Sequence, residues 1–568
     1  GNSMPRFTAA AVTALVATLL TVVTPTSTQA QENRSLMTGP VTSPATHSGR
    51  STVYAPNGVA ATSQPLATTA ALEILQNGGN AIDAAVAAAA VLNVTEPHMT
   101  GMGGDMFAIL WDADAGELVG LDASGKSGSK IDVDALAAED DGVAGSGPRS
   151  VTVPGALSGW STLVGTYGTM TLAEVLAPAI RIAEEGFPVS PIIAQDWAGT
   201  VEGLRRDEGA AATFLIDGEA PKAGDWFRNP DLARTFRRVA EHGPGTFYGG
   251  DLGREIVEGL DRLGGYLTLE DLANHEPRWV EPLSVDYKGY TLYELPPAGQ
   301  GIAALQMLKM LEGYDFSTMT HNSAEYLHTL IEAKKLAHAD LARYVADPDH
   351  MDVQPESLLD PSYLAGRANL IDPTKAADRP DPGHLVTDSE TIYLTVADRH
   401  GNMISFINSI YGYFGSRVVV PGTGLVLQNR GAGFTMEEGH PNRIAPNKRP
   451  FHTIIPAFVT KDDGPWLSFG VMGGSMQPQG HVQVMLNMVE FGMDPQEAID
   501  AARFRHFNGT RVAIENLNPT VAEALEAMGH ELRSPDGVAF GGGQAILKLA
   551  RGWAAGSDPR KDGMAAGH

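Results

Sequence analysis

Apolar positions along this chain recur at two spacings, and the switches between them mark its elements. Pro65 to Gln76 carries helical spacing and stops at Gly78-Gly79. Asn80 then caps a run of small apolar residues through Leu92, which predicts a helix buried on every side. A glycine-rich stretch, Thr95 to Asp105, leads into a strand from Met106 to Trp111. That stretch suits either tight packing or a backbone brought close to a ligand. It lacks the Lys-Ser/Thr pair of a phosphate loop. Val151 to Pro154 reads as a strand ending at Gly155, and Thr171 to Gly186 as an amphipathic helix containing Pro178. Helices follow at Pro230 to His242 and Leu252 to Leu263, and a strand at Tyr287 to Leu295 ends at Pro296-Pro297. Ala303 to Leu311 and Ser323 to Val345 are helical. The second carries Glu, Lys and His along one face, which predicts a solvated surface.

Ile392 to Ala397 is a short β-branched and aromatic run, read as a buried strand. Asp398 to Asn402 is a turn, and Met403 to Asn408 the returning strand. Short strands then crowd together at 418–420, 424–427, 453–459 and 466–471. Helices follow at 482–490 and 495–503, and a last hairpin runs from Gly541 to Trp553. Strands in two clusters flanked by helices predict an α+β layered fold, without internal repeats.

Composition narrows the class. Of 568 residues, 43% are hydrophobic and 19% charged, as in a globular chain. The net charge of −27 argues against a nucleic-acid partner. There are no cysteines, which excludes disulfides and thiolate catalysis. Gly1-Asn2-Ser3 reads as a tag remnant before Met4. Arg6, the apolar run Ala9 to Val23 and Thr28-Gln29-Ala30 read as a signal peptide cleaved after Ala30. The alternative, a membrane anchor, needs roughly 20 apolar residues, more than this run provides. Residues 1–30 are therefore expected to be tag and signal, and 31–52 a mobile Ser/Thr/Pro-rich linker. A secreted or periplasmic protein follows, with no membrane contact after signal removal. No histidine spacing suggests a metal site, and no cofactor is implied.

The candidate chemistry lies at Thr391, at the open end of the hairpin and after the acidic stretch Asp388-Ser389-Glu390. A threonine hydroxyl attacks well only when a base takes its proton, and its own α-amine can do so once the chain is cut before it. Cleavage between Glu390 and Thr391 would make Thr391 both nucleophile and base. Taken alone, the same text fits a threonine opening an ordinary strand.

The order and spacing of several short motifs decide between these readings. They are Glu96-Pro97, Gly101-Met102-Gly103-Gly104, Val153-Pro154-Gly155, Asn229-Pro230-Asp231, Pro296-Pro297, Pro446-Asn447-Lys448-Arg449-Pro450, Gly473-Gly474-Ser475 and Ser557-Asp558-Pro559-Arg560. Together they resemble the γ-glutamyltransferase (γ-glutamyltranspeptidase) family of N-terminal-nucleophile hydrolases, from about Val53 to Gly563. The resemblance implies an αββα sandwich made as one inactive chain. Autocleavage would give a large subunit, 53–390, and a small subunit, 391–568, that stay together as a heterodimer. It also implies Thr391 as nucleophile and Ser409 as a hydroxyl partner. Gly473 and Gly474 would be oxyanion donors, and Thr453 with His452 would stand in the substrate's carboxylate site.

Departures from the family pattern concern recognition. Ile392 and Tyr393 replace a threonine and a histidine. No arginine stands near Ser124, Tyr411 replaces a pocket asparagine, and Arg430 and Gly433 replace a glutamine and the acid that holds an α-amino group. The segment from Phe434 to Pro450 is short, as in members without a lid. The pattern resembles the cephalosporin acylase-like branch. Expected is an N-terminal threonine amidohydrolase that cleaves γ-glutamyl or similar small-molecule acyl amides through an acyl-enzyme, with Arg430 either binding an acid group or tying down its own loop. The rivals are a true γ-glutamyl transpeptidase acting on glutathione and a non-catalytic binding relic.

Overall fold

The computed structural model describes residues 49–139, 142–378 and 391–568. The signal sequence and Glu390 lie outside the described residues.

Two seven-stranded antiparallel sheets face each other. Their strands are β1 (Val53–Ala55), β2 (Val59–Thr62), β3 (Asp105–Asp112), β4 (Glu117–Ala123), β5 (Arg278–Val280), β6 (Leu283–Tyr287), β7 (Tyr290–Glu294), β8 (Ile392–Ala397), β9 (Met403–Ser409), β10 (Ala457–Lys461), β11 (Gly464–Met472), β12 (Gly542–Lys548), β13 (Trp553–Ser557) and β14 (Met564–Gly567). One sheet runs β1-β13-β12-β11-β10-β7-β6 and the other β14-β2-β8-β9-β3-β4-β5. Helices α1 (Pro65–Gln76), α2 (Ala81–Thr95), α3 (Ala156–Tyr167) and α4 (Leu172–Glu185) lie on the second sheet's side. Helices α5 (Gly301–Leu311), α6 (Ala324–Tyr344) and α7 (Met476–Val489) lie on the first sheet's side. The layering is the αββα sandwich that the family resemblance implies.

The helix expected to be buried on every side is so: every residue of α2 is buried. Its N-terminus is held by a capping box between Asn80 and Asp83. Asp398, in the β8–β9 turn, adds a second anchor. Its Oδ2 accepts from Ala81 N at 2.9 Å, while Oδ1 accepts from His400 N and Asn402 N. The turn that joins the central hairpin is thereby locked to the central helix.

Alternation within the strands fixes what faces what. Across the sandwich, Thr395 Oγ1 and Ser468 Oγ are 2.7 Å apart, and the Tyr393 ring lies on Gly470. A β-carbon at Gly470 would sit 2.5 Å from that ring, so the position requires glycine. Thr391 shares the parity of Tyr393 and Thr395, and so the face of the sheet that looks toward β11.

Three readings of the sequence change. The face of α6 expected to be solvated is buried: Glu332 and Lys335 pair at 2.6 Å in the core, and His328 bonds His530 at 2.8 Å. The strand expected at 287–295 starts later, at Tyr290, and is the second arm of a hairpin, β6 and β7, that turns at Lys288-Gly289, both with positive φ. Residues 151–155 form no strand; their extended backbone wedges against Gly125, where a β-carbon would overlap Val153 O.

Candidate active site

Thr391, Ser409 and Asp105 meet at one end of the second sheet, because β8 begins, β9 ends and β3 begins there. Thr391 is fully buried, and its Oγ1 donates to Ser409 Oγ at 3.1 Å. Ser409 Oγ also accepts from Tyr411 N at 2.8 Å. That second bond fixes the hydroxyl in place, since Tyr411 holds a φ of +77° that a non-glycine residue rarely adopts. A surface cavity of about 620 Å³, lined by Trp111, Tyr290 and Thr460, lies at the opposite strand ends, away from these groups.

Gly473 and Gly474 both have positive φ, +126° and +56°, and lie just before α7. Gln300 ties this turn to the neighbouring segment: its Nε2 donates to Gly474 O at 2.8 Å and to Thr453 O at 2.6 Å. Gln300 escaped the sequence reading, since a glutamine after Pro-Ala-Gly gives no signal of a buried cross-link.

Arg430, Tyr411, Thr453 and His452 come together beside them. Arg430 is fully buried; its Nη1 donates to Thr453 Oγ1 at 3.0 Å, and its guanidinium lies 4.3 Å from the centre of the Tyr411 ring. Its side chain bonds no backbone carbonyl among the described residues, so the loop-tying alternative has no partner there. Nε and Nη2 find no hydrogen-bond acceptor among the described residues. Asp105 Oδ2 lies 3.8 Å from Arg430 Nε and also 3.8 Å from His452 Nε2, too far for a hydrogen bond to either. Asp105 Oδ1 accepts from Gly125 N at 3.1 Å.

The electrostatics follow from burial. Desolvation pushes the Asp105 carboxyl up to about 7, although Arg430 pulls the other way. Desolvation lowers Arg430 to about 10, which leaves it charged at neutral pH. His452 is held well below its usual value by burial and by Arg430 and Arg449, so it is neutral.

Arg449 reaches Ser124 from far along the chain, its Nε donating to Ser124 O at 3.3 Å. Gly433 carries no side chain to hold an amine. The short segment before Pro450 folds back on itself, with Lys448 Nζ donating to Pro441 O and Arg443 O.

Among the described residues one cluster has the make-up of a metal site, His328, Glu332 and His530. All its donor atoms but His530 Nδ1 are already engaged. Lys335 bonds one Glu332 oxygen, Ala377 N the other, and the two imidazoles bond each other. An ammonium occupies the seat a cation would need.

A family model described as gamma-glutamyltranspeptidase matches residues 67–568. The chain is 37% identical over 514 residues to the glutathione hydrolase-like YwrD proenzyme of Bacillus subtilis (strain 168), covering 88% of this chain and 97% of that one. It is 36% identical over 527 residues to the oxamate amidohydrolase proenzyme of Klebsiella pneumoniae, covering 90% and 98%. Among solved structures, a cephalosporin acylase from Bacillus halodurans matches with a TM-score of 0.86 at 44% identity, covering 92% of this chain and 97% of the other.

Proposed function

The chain belongs to the gamma-glutamyltranspeptidase family, and from that premise we propose a self-processing amidohydrolase that uses Thr391 as its N-terminal nucleophile. The observation that carries this reading is the buried Thr391 hydroxyl donating to Ser409 Oγ where β8 begins and β9 ends. A hydroxyl so placed attacks the carbonyl of the preceding Glu390 or, once the chain is cut, that of a substrate amide. Cleavage divides the chain into a large subunit, 53–390, and a small subunit, 391–568, which the shared sheets keep together.

In the matured enzyme the α-amine of Thr391 takes the proton from Oγ1, and Oγ1 attacks the amide carbon. Gly473 and Gly474, free of side chains and next to the N-terminus of a 14-residue helix, offer backbone N–H groups to the oxyanion. The amine then passes its proton to the leaving nitrogen, and water resolves the acyl-enzyme. Ser409 orients the hydroxyl. Arg430, with Thr453, His452 and Tyr411 around it, receives the acid end of the acyl group.

The acyl donor in this reading is a small amide with a carboxyl group on its acyl side. The names of two relatives, an oxamate amidohydrolase and a cephalosporin acylase, are consistent with acid-bearing or non-amino acyl groups. A γ-glutamyl donor would want an acceptor for its α-amine, and Gly433 provides none. Export is proposed from the signal read at residues 4–30. Among the described residues no helix is long and apolar enough to cross a membrane.

The test is an acyl trap. Matured enzyme mixed with a slowly deacylating glutaryl ester should gain one glutaryl mass, mapped to the peptide that begins at Thr391. An adduct on another residue, or none during turnover, rejects the mechanism. Parallel rates on glutaryl and γ-glutamyl anilides separate the acylase from the transpeptidase.

A further inference from the structure

Asp105 stands outside the mechanism above, yet it opens β3 directly across from Ser409 and shares the pocket with Arg430. An acid this deeply buried usually has its charge met by hydrogen bonds. Only one of its oxygens is so met. Oδ1 accepts from Gly125 N, while Oδ2 is buried with Arg430 Nε and His452 Nε2 each 3.8 Å away. On the facing side, the Nε–Nη2 edge of Arg430 offers two buried donors that find no acceptor among the described residues.

That edge is the shape to which a carboxylate binds with both oxygens. An oxygen seated about 2.8 Å from Nε on the side that faces Asp105 comes within hydrogen-bond reach of Oδ2, which lies 3.8 Å from that Nε. Two carboxyl oxygens that close cannot both be anionic; they share a proton.

Resting on the reading of Thr391 as nucleophile, we propose that Asp105 is a specificity-determining residue that shares a proton with the acyl-side carboxyl group anchored by Arg430. The pocket therefore selects acyl donors ending in a carboxyl group without an amine, and takes up one proton with each.

Charge counting supports this class of donor. His452 is neutral, and Arg430 beside it is the cation that faces Asp105 Oδ2. Asp105 already balances it. An incoming carboxylate adds one negative charge, and a proton offsets it. A zwitterionic end would instead place an ammonium on Asp105 Oδ2, close to the Arg430 guanidinium. It would also find few of the acceptors that its three N–H bonds need. Of the other titratable groups around Asp105, Asp122 on β4 opposes a further negative charge there, while the Tyr248 phenol, pushed up by burial, is neutral and donates to Pro154 O. The Asp105 value of about 7 places the uptake at working pH.

The α-amine of Thr391 titrates in the same range, so the readout is a ratio. With matured enzyme, kcat/KM for a glutaryl anilide divided by that for the uncharged valeryl anilide should be flat at acidic pH. Above about pH 7 it should fall by up to about tenfold per pH unit. In Asp105→Asn, whose amide donates a hydrogen bond without titrating, the ratio should stay flat. A wild-type ratio independent of pH overturns the proposal, as does a preference for γ-glutamyl over glutaryl donors that disappears in Asp105→Asn. Should that variant fail to mature, calorimetry of glutarate binding to the wild-type enzyme at pH 8, in buffers of different ionisation enthalpy, decides the matter. Close to one proton taken up per glutarate supports the proposal, and none overturns it. Neutral-donor turnover reports on Thr391 and glutarate binding on Asp105, so the two readings fail separately.

Discussion

Replacing Ser409 by alanine tests the link between the hairpin and the chemistry. The Ser409 hydroxyl accepts from Thr391 Oγ1 at 3.1 Å and from Tyr411 N at 2.8 Å. Ser409→Ala leaves the Tyr411 N–H buried without that acceptor, a cost of about 1–3 kcal/mol. Urea denaturation of unprocessed protein reads that loss. The reacting hydroxyl also loses its orienting partner. A contribution of the acid–base kind is worth about 10²-fold, or about 2.7 kcal/mol at 1.36 kcal/mol per tenfold. Both the disappearance of the full-length band and kcat on the glutaryl anilide should slow by that factor. Ser409→Thr, which keeps the hydroxyl, should recover most of both. If Ser409→Ala matures and turns over at the wild-type rate, the hydroxyl has no part in the mechanism, whatever its effect on stability.

Three further outcomes follow from buried groups. Lys335→Met leaves Glu332 without its ammonium partner in the core, so unfolding free energy in urea should drop by about 3–5 kcal/mol, and Lys335→Met with Glu332→Leu should restore most of it. Gly473→Ala places a side chain at φ +126° with its β-carbon 3.0 Å from Gly541 Cα; a loss of about 1–3 kcal/mol, read as a lower Tm, should accompany slower turnover, and an unchanged Tm contradicts the strained turn. Burial alone would raise the Asp558 carboxyl, but Arg503 and Arg560 hold it below its usual range. Its stabilisation is therefore present above the unfolded value of about 3.9 and is lost as pH falls through the folded one. Asp558→Asn should flatten the acid limb of stability against pH, and an unaltered limb rules this pair out.

The sequence disclosed those parts of the fold that local chemistry dictates. The helix at Ala81–Thr95 showed in its cap and its small residues, and the central hairpin in its β-branched run and Asp398 to Asn402 turn. What stayed hidden depends on contacts between distant segments. Helix α6 reads as a solvated surface because Glu332, Lys335 and His328 are charged or polar; only the fold reveals that they satisfy one another inside. Residues 418–427 alternate as strands do but form only a single bridge, after a positive φ at Arg417. Arg449 reaches Ser124 across 325 positions, a meeting no local pattern predicts. Asp105 carried a signal that local reading passed over: an acid opening an otherwise apolar strand, directly after two glycines.

The central claim is that the chain makes its own nucleophile by cutting before Thr391. A time course of purified full-length protein on a denaturing gel, with N-terminal sequencing and intact mass of the smaller product, tests it most directly. The account predicts that the 60.0 kDa chain disappears as amidase activity rises, that the small fragment begins Thr-Ile-Tyr-Leu, and that Thr391→Ala stays whole and inactive. A fragment with any other N-terminus, or an uncut chain that hydrolyses amides, contradicts it.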